Sequence, residues 1–445
     1  MNVLMVYTNT YRTSAPAPLG ASLVAARLRR DGHEVRFLDL MFVKSPSAEA
    51  ARVAAEFRPE LVCYSIRNRD NQMSSAYFDP LPVVRSIVTA VRGVCPAPIL
   101  LGGTAFTTFP RQWVDALDAE YGMIGDDLDS ASRFVASLAA GAPDVTVPGL
   151  AHRADDGTIR VNPFAIRGYA DVTFDNWDLL DVRSYRRSLT TLWDAALVVR
   201  TGCPFQCTFC DYQTTFGTRW LLRDPIAVAE EALALQRHGA RSVIFADAGF
   251  NRPLDHAKQV LRAFIDAGVR LSLSMIFEPG EIDREFSQLF RRAGGRTAVL
   301  YAGSLSDTAL AALRKPFSVA DVVDGAQLLR QAGITSTLFL TFGGPGETPE
   351  TVEETFRTIP RVPAIKTFVD HGFRIQPGTE LRQIAINEGV IAPDDDCFRA
   401  TFYHSQATPR EMLKARLKRF ESETRWHNLK ALPFMAGVIW NKFRP

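Results

Sequence analysis

The stretch VVRTGCPFQCTFCDY, residues 198–212, sets three of the chain's six cysteines, Cys203, Cys207 and Cys210, within eight positions. The apolar run AALVVRT that leads into it reads as a strand, so the CxxxCxxC pattern begins on a loop at a strand's carboxyl end. Iron–sulfur clusters take thiolate ligands, and a tight loop can wrap three of them around one cubane, leaving the fourth iron without a cysteine. An iron left open can chelate a small molecule, as the open position of a catalytic metal site does. Zinc is the alternative, but it asks for four ligands, usually in paired sets, whereas His238 and His256 are distant and Cys397 is isolated. The trio is expected to bind a cluster rather than form a zinc knuckle.

Downstream, SVIFADA, RLSLSMIFE, TAVLYAG, STLFLTFG and TFVDHGFRIQ continue the strand series, each but the last followed by helical sequence. Six β/α units in succession predict a partial TIM-type barrel over residues 196–380, with its chemistry at the strand carboxyl ends. Upstream, NVLMVYT, EVRFLDL, LVCYSIR, PILLGG and YGMIG alternate with amphipathic runs such as LGASLVAARLRRDG. That pattern predicts a doubly wound, Rossmann-like α/β domain over residues 1–140, whose ligand would sit beyond Thr8, Ser65 and Gly102. Residues 141–195, richer in Pro, Gly, Asp and Arg, read as a linker with a little strand content. Residues 381–445 combine an amphipathic helix, PREMLKARLKRFESETRW, with the aromatic-rich ALPFMAGVIWNKF, and read as a small helical region or cap.

Composition narrows the class. The chain has 445 residues, 47% hydrophobic and 22% charged, with 51 Lys+Arg against 49 Asp+Glu. It is long enough for two or three domains with full cores. The balance of charge gives no electrostatic footprint for nucleic acid or an anionic membrane. The first residues lack a basic n-region and a long apolar run, and no later stretch approaches a membrane span, so a cytoplasmic protein is expected. In a reducing compartment a tight cysteine trio points to metal or redox chemistry before disulfides.

The barrel half resembles the radical SAM family, in which CxxxCxxC follows the first strand and an aromatic, here Phe209, precedes the last cysteine. FADAGFN (245–251), FGGPGET (342–348) and QPGTEL (376–381) extend the resemblance across the barrel. It implies a 4Fe-4S cluster on Cys203, Cys207 and Cys210 that binds S-adenosylmethionine, with Phe209, Asp247, Ser304 and Glu347 around the cofactors. One departure stands out: in YAGSLSDTALAALRK, Gly303 replaces the usual acidic residue, while Ser304 and Lys315 remain. The partner that the resemblance implies for the SAM ammonium is thereby missing, which leaves both a radical and a polar route open.

The first domain, lacking GxGxxG, resembles the cobalamin-binding domain fused to many radical SAM enzymes. The resemblance implies that Thr8, Leu19, Gly20, Ser65, Arg67, Arg69, Gly102, Gly103, Thr104 and Gly125 approach the cofactor. The DxHxxG signature is absent, since Asp31-Gly32-His33 has the wrong spacing, so no axial histidine is expected from it. An arginine near cobalt cannot ligate it, because guanidinium stays protonated. Arg69, Glu278 and His371 are the expected catalytic residues, with Glu281 a further carboxylate in the same loop as Glu278.

Together these features imply a methyltransferase moving a methyl group from SAM via methylcobalamin to an unactivated or aromatic carbon of a small biosynthetic intermediate. A flavodoxin or ferredoxin would donate electrons. The alternatives are ring closure, oxidation or rearrangement with the same cofactors, and, in another class, a non-catalytic zinc-stabilised binding protein.

Overall fold

The computed structural model describes residues 1–12, 17–169, 172, 174, 176–188 and 193–430, with side chains to 423. Two compact units divide them: one takes 1–71 and 78–188, the other 72–77 and everything from 193 onward.

The first unit holds, among the described residues, a seven-stranded sheet in the order β2-β1-β3-β4-β5-β6-β7. Strands β1 (Asn2–Tyr7), β2 (Glu34–Asp39), β3 (Leu61–Ser65), β4 (Ile99–Gly102) and β5 (Tyr121–Met123) are parallel, as the apolar runs predict. Their residues are buried on both faces where helices cover the sheet; Val3, Leu4, Val6, Leu61 and Leu101 are fully enclosed. Beyond β5 the sheet continues antiparallel through β6 (Leu150–Arg153) and β7 (Ile159–Val161). The stretch expected as a linker thus adds an edge hairpin to the first sheet, and the short helix Val182–Arg187 ties back through the Tyr185 hydroxyl, which donates to Asp39 at 2.8 Å.

In the second unit β8 (Ala195–Leu197) opens the barrel. A small hairpin of β9 (Arg200–Thr201) and β10 (Leu221–Leu222) follows, and then β11 (Ser242–Phe245), β12 (Ser272–Phe277), β13 (Gly295–Gly303), β14 (Thr335–Phe342) and β15 (Ala364–His371). The six strands β8 and β11 to β15 pair in parallel in the order β15-β14-β13-β12-β11-β8, the expected partial barrel. Burial alternates along them: Leu338, Leu340 and Phe342 are enclosed, and Phe342 stacks 4.9 Å from Phe356 of the helix Pro349–Thr358. The alternate residues Thr337, Phe339 and Thr341 therefore face the barrel interior. A second hairpin, β16 (Phe373–Arg374) with β17 (Phe402–Tyr403), precedes the long helix Arg410–Lys430. The aromatic-rich tail lies outside the described residues. Among these residues no helix is long and apolar enough to cross a membrane.

Candidate cofactor sites

The β9–β10 hairpin closes the neck of the loop that carries the cysteines. Gly202 enters it at φ +78°, where a Cβ would run into the Arg219 carbonyl oxygen, so only glycine makes this turn. The Cys203 amide donates to Gly217 O at 3.0 Å, and the Gln213 side chain donates to the Cys203 and Phe205 carbonyls at 3.0 and 2.6 Å. Thr208 anchors the middle: its amide and hydroxyl donate to the carbonyls of Leu313 and Ala312, and its carbonyl accepts the Leu381 amide. The loop is thus braced against the segments after β13 and β15, while all three thiols are free.

Burial pushes the thiols of Cys203 and Cys207 up, and the charge of Glu278 adds to this; Arg200 opposes it at Cys203, Lys315 at Cys207. Protons must therefore leave these sulfurs when a metal binds. Among the described residues no three His, Cys, Asp or Glu side chains gather around a single ion. Three free thiols on one braced loop, with cations beside them, form a donor set that suits a cluster.

Glu278 stands just past β12. Its amide donates to Asn251 Oδ1 at 3.0 Å and its carbonyl accepts from Asn251 Nδ2 at 2.8 Å, which fixes the backbone and leaves the carboxylate unbonded to this asparagine. Burial raises its pKa, against the pull of Lys315, Arg252 and Arg200. Arg252 pairs with both carboxylates of this loop, its Nε 3.9 Å from Glu278 Oε2 and its Nη1 2.5 Å from exposed Glu281. Lys315, which the sequence shows only as part of a motif, places its ammonium 5.2, 5.3 and 5.7 Å from the rings of Phe209, Tyr301 and Phe317. Gly303 lies beside it at φ +83°, and a Cβ there would meet Lys315 Cε at 3.7 Å. Phe209 also packs on Phe373, with ring centroids 4.9 Å apart.

The remaining barrel residues bond to neighbouring parts of the barrel unit. Asp247 Oδ1 accepts from the Val199 and Arg200 amides at 3.1 and 3.4 Å, while Oδ2 is buried without a partner; burial raises its pKa to about 6. The Ser304 hydroxyl bonds that of Thr355 at 2.9 Å. His371 is 3% exposed, pairs in register with helix-facing Phe342, and has Nδ1 3.0 Å from His404 Nε2. That histidine partner lies 33 residues on, so no local signal in the sequence announces it.

Glu347 closes the GGPGE turn by accepting the Gly343 amide, and burial raises its pKa from 4.5 to about 7. The native state therefore keeps a proton that the unfolded chain releases above its ordinary value. Stability from this group is complete below about pH 4.5 and is lost as pH rises through 7, by up to about 3 kcal/mol. Between pH 5 and 8 the wild type should lose melting temperature relative to Glu347→Gln, which keeps the acceptor and cannot ionise; parallel profiles would refute this.

In the first unit the expected cofactor residues collect at one end of the sheet. Tyr7, Ser65 and Gly102 are register partners, and the Thr8 amide and hydroxyl donate to Ser65 O at 3.3 and 2.9 Å. Gly103 follows, exposed, at φ +98°; a Cβ would lie 2.6 Å from Ile66 O. Thr104 is exposed at the start of the helix Thr104–Thr108, whose Thr108 hydroxyl accepts from Arg69 Nη1 at 3.4 Å. Gly125, at φ +86°, donates its amide to Thr107 Oγ1 at 3.1 Å. Leu19 and Gly20 open the helix Leu19–Arg30, and a Cβ on Gly20 would meet nothing within 4 Å. Exposed Arg67 donates to Asn68 Oδ1 at 2.9 Å and borders a cleft with Thr8, Asn9, Ile66 and Phe78. His33 precedes β2 and so stands at the opposite, amino end of the strands. An exposed, glycine-lined strand end fits the close approach of a large planar cofactor.

The family model of the Radical SAM superfamily matches residues 197–359, and that of the B12 binding domain matches residues 9–134. The chain is thus a radical SAM enzyme. More narrowly, it belongs to the cobalamin-dependent radical SAM family, in which a B12-binding domain is fused to the barrel. That assignment displaces the zinc-stabilised, non-catalytic alternative. The chain is similar to tryptophan 2-C-methyltransferase of Streptomyces laurentii, 24% identical over 81% of this chain and 70% of the relative. It is 25% identical to hopanoid C-3 methylase of Methylococcus capsulatus over 73% of this chain and 60% of the relative. Its fold matches the radical SAM methyltransferase TsrM of Kitasatospora setae, solved with cobalamin and a [4Fe-4S] cluster, at a TM-score of 0.79 and 22% identity, covering 100% of this chain and 89% of that one.

Proposed function

We propose that the protein is a cobalamin-dependent methyltransferase that moves a methyl group from S-adenosylmethionine to a carbon of a small biosynthetic intermediate. The observation that carries this is the pairing, in one chain, of three free thiols on a braced loop at a barrel strand end with a glycine-lined strand end in a B12-binding domain. When bound, cobalamin supplies a cobalt that accepts and passes on methyl groups, and the cluster supplies an open iron for SAM.

The chain's own residues then have distinct roles. Cys203, Cys207 and Cys210 hold the cluster, with Phe209 and Lys315 packed against their loop. Gly102, Gly103, Thr104 and Gly125, with Thr8, Leu19, Gly20 and Ser65, admit the corrin, and Arg67 and Arg69 bring positive charge to that end of the sheet. Arg69, unable to ligate, would discourage a further ligand on cobalt and favour departure of the methyl group. Glu278, a partly buried carboxylate with raised proton affinity on the interior face, takes up the proton that the methylated carbon sheds. Asp247, Ser304, Glu347 and His371 position the strand ends on which these groups stand. The enzyme would work in the cytoplasm, with electrons from a flavodoxin or ferredoxin keeping the cofactors reduced.

The glycine at 303 favours a polar route. Without the carboxylate that the resemblance places there, the SAM ammonium lacks its counter-charge and the Lys315 charge beside that position is unopposed, weakening the pose that leads to reductive cleavage. Anaerobically prepared holoenzyme, with iron and cobalt quantified, is incubated with methyl-labelled SAM and candidate metabolites. Label in the product with adenosylhomocysteine and little deoxyadenosine is expected; deoxyadenosine without methyl incorporation would instead support the ring-closing or rearranging alternative.

A further inference from the structure

Inside the barrel, three aromatic side chains form a row across adjacent strands. Tyr301 pairs in register with Phe339, and Phe339 with Phe368. Their rings stack, with centroids 6.4 and 4.5 Å apart and interplanar angles of 24° and 19°. All three lie on the face turned away from the helices, and Tyr301 and Phe368 remain 37% and 36% exposed. Rings placed only for packing belong on the opposite side, between strands and helices, where the strand residues Phe277 and Phe342 and the helix residue Phe286 are fully enclosed.

Phe339 and Phe368 stack closely and Tyr301 lies near-parallel but offset beyond them, so the surface turned to the interior consists largely of ring edges. Edges carry the positive rim of the aromatic quadrupole and attract the electron-rich face of another ring in a T-shaped contact. Each end of the row carries a cation: Lys315 at 5.3 Å from the Tyr301 ring, on the side of the cysteine loop, and Lys366 at 4.5 Å from the Phe368 ring. Glu278 follows the Phe277–Leu300 pair on β12 as Tyr301 follows it on β13, which puts the carboxylate beside the row.

We propose that Tyr301, Phe339 and Phe368 form the substrate platform, selecting a planar, electron-rich aromatic acid whose anionic group is held by Lys366. This rests on the methyltransferase function proposed above and names its substrate class. Lys315 is engaged at the cofactor end, so Lys366 is the cation assigned to the substrate.

The test measures equilibrium binding to the full-length holoenzyme of three probes: indole-3-acetate, the saturated cyclohexylacetate and the acid-free tryptamine. Indole-3-acetate should bind at least about tenfold more tightly than either of the others. Phe339→Leu or Phe368→Leu should weaken it roughly three- to tenfold by removing one edge contact. Lys366→Met should weaken it by about tenfold or more through loss of a charged hydrogen bond. Iron and cobalt content should stay at wild-type levels in all three variants, showing that they fold. Equal affinity for the three probes, no binding of any, or indifference to the substitutions would overturn the platform. Adenosylhomocysteine formation from SAM by the reduced holoenzyme is scored separately: its absence overturns the methyltransferase proposal, and its presence without aromatic discrimination overturns the platform alone.

Discussion

Cys207→Ala should yield a protein that keeps its cobalt, loses its iron and transfers no methyl group, a fall of at least about a thousandfold, or ~4 kcal/mol of barrier. The loss would be chemical rather than structural. The loop around this residue is held by Thr208, through Leu313, Ala312 and Leu381, and by Gln213, through Cys203 and Phe205; none of these bonds uses the Cys207 sulfur. Truncating a half-buried thiol therefore leaves the brace in place and removes one of three ligands. Iron analysis, the visible spectrum of the anaerobic protein and the labelled-methyl assay measure the three consequences separately. A variant that retained iron and full turnover would show that the trio is not the cluster's ligand set.

The second large effect belongs to the other unit. Gly103→Val should weaken cobalamin binding by roughly five- to 150-fold while leaving iron incorporation intact. At φ +98° a β-branched residue is strained whatever the space, and here its Cβ would also press on the carbonyl of Ile66, only 2.6 Å away. Strain of about 1–3 kcal/mol, relieved only by moving the loop off its position, corresponds to roughly five- to 150-fold in affinity. Gly20→Ala is the informative companion. A Cβ there meets nothing within 4 Å, so the folded protein tolerates it, and any fall in affinity reports contact with the ligand itself. Cobalt retention after desalting reads both variants; unchanged retention in Gly103→Val would move the corrin away from this strand end.

Much of the architecture was legible because the strands are dense apolar runs ending in loops of chemical character. VVRTGCPFQCTFCDY announces its own position, since a cysteine trio after an apolar strand has few other uses. The edge hairpin β6–β7 was obscured by its setting: four- and three-residue strands amid Pro, Gly and Asp do not show period-2 burial. The face on which a residue lies was harder to read than its strand. His371 sits at a strand's carboxyl end as expected, yet its register with Phe342 turns it toward the helices, where His404 meets it. Tyr301, Phe339 and Phe368 look like ordinary strand aromatics in isolation. Only the pairing of three strands far apart in sequence brings them into one row, and no local window contains that pairing. Lys315 belongs to the same class of omission, visible in a motif but given meaning by three rings drawn from separate segments.

Residues 72–77 leave the first sheet's chain and fold with the barrel, where the amides of Ser74 and Ser75 donate to the Asp370 carboxylate at 3.1 and 3.2 Å. The two units are consequently not two consecutive stretches of the chain. A fragment begun at residue 193 would strip a carboxylate of two donors at the rim of its own barrel, and one ended at residue 188 would carry a hexapeptide with nowhere to dock. Biochemical dissection of this enzyme by cutting the gene in half is therefore the wrong approach, and inactivating point substitutions within the whole chain are the right one.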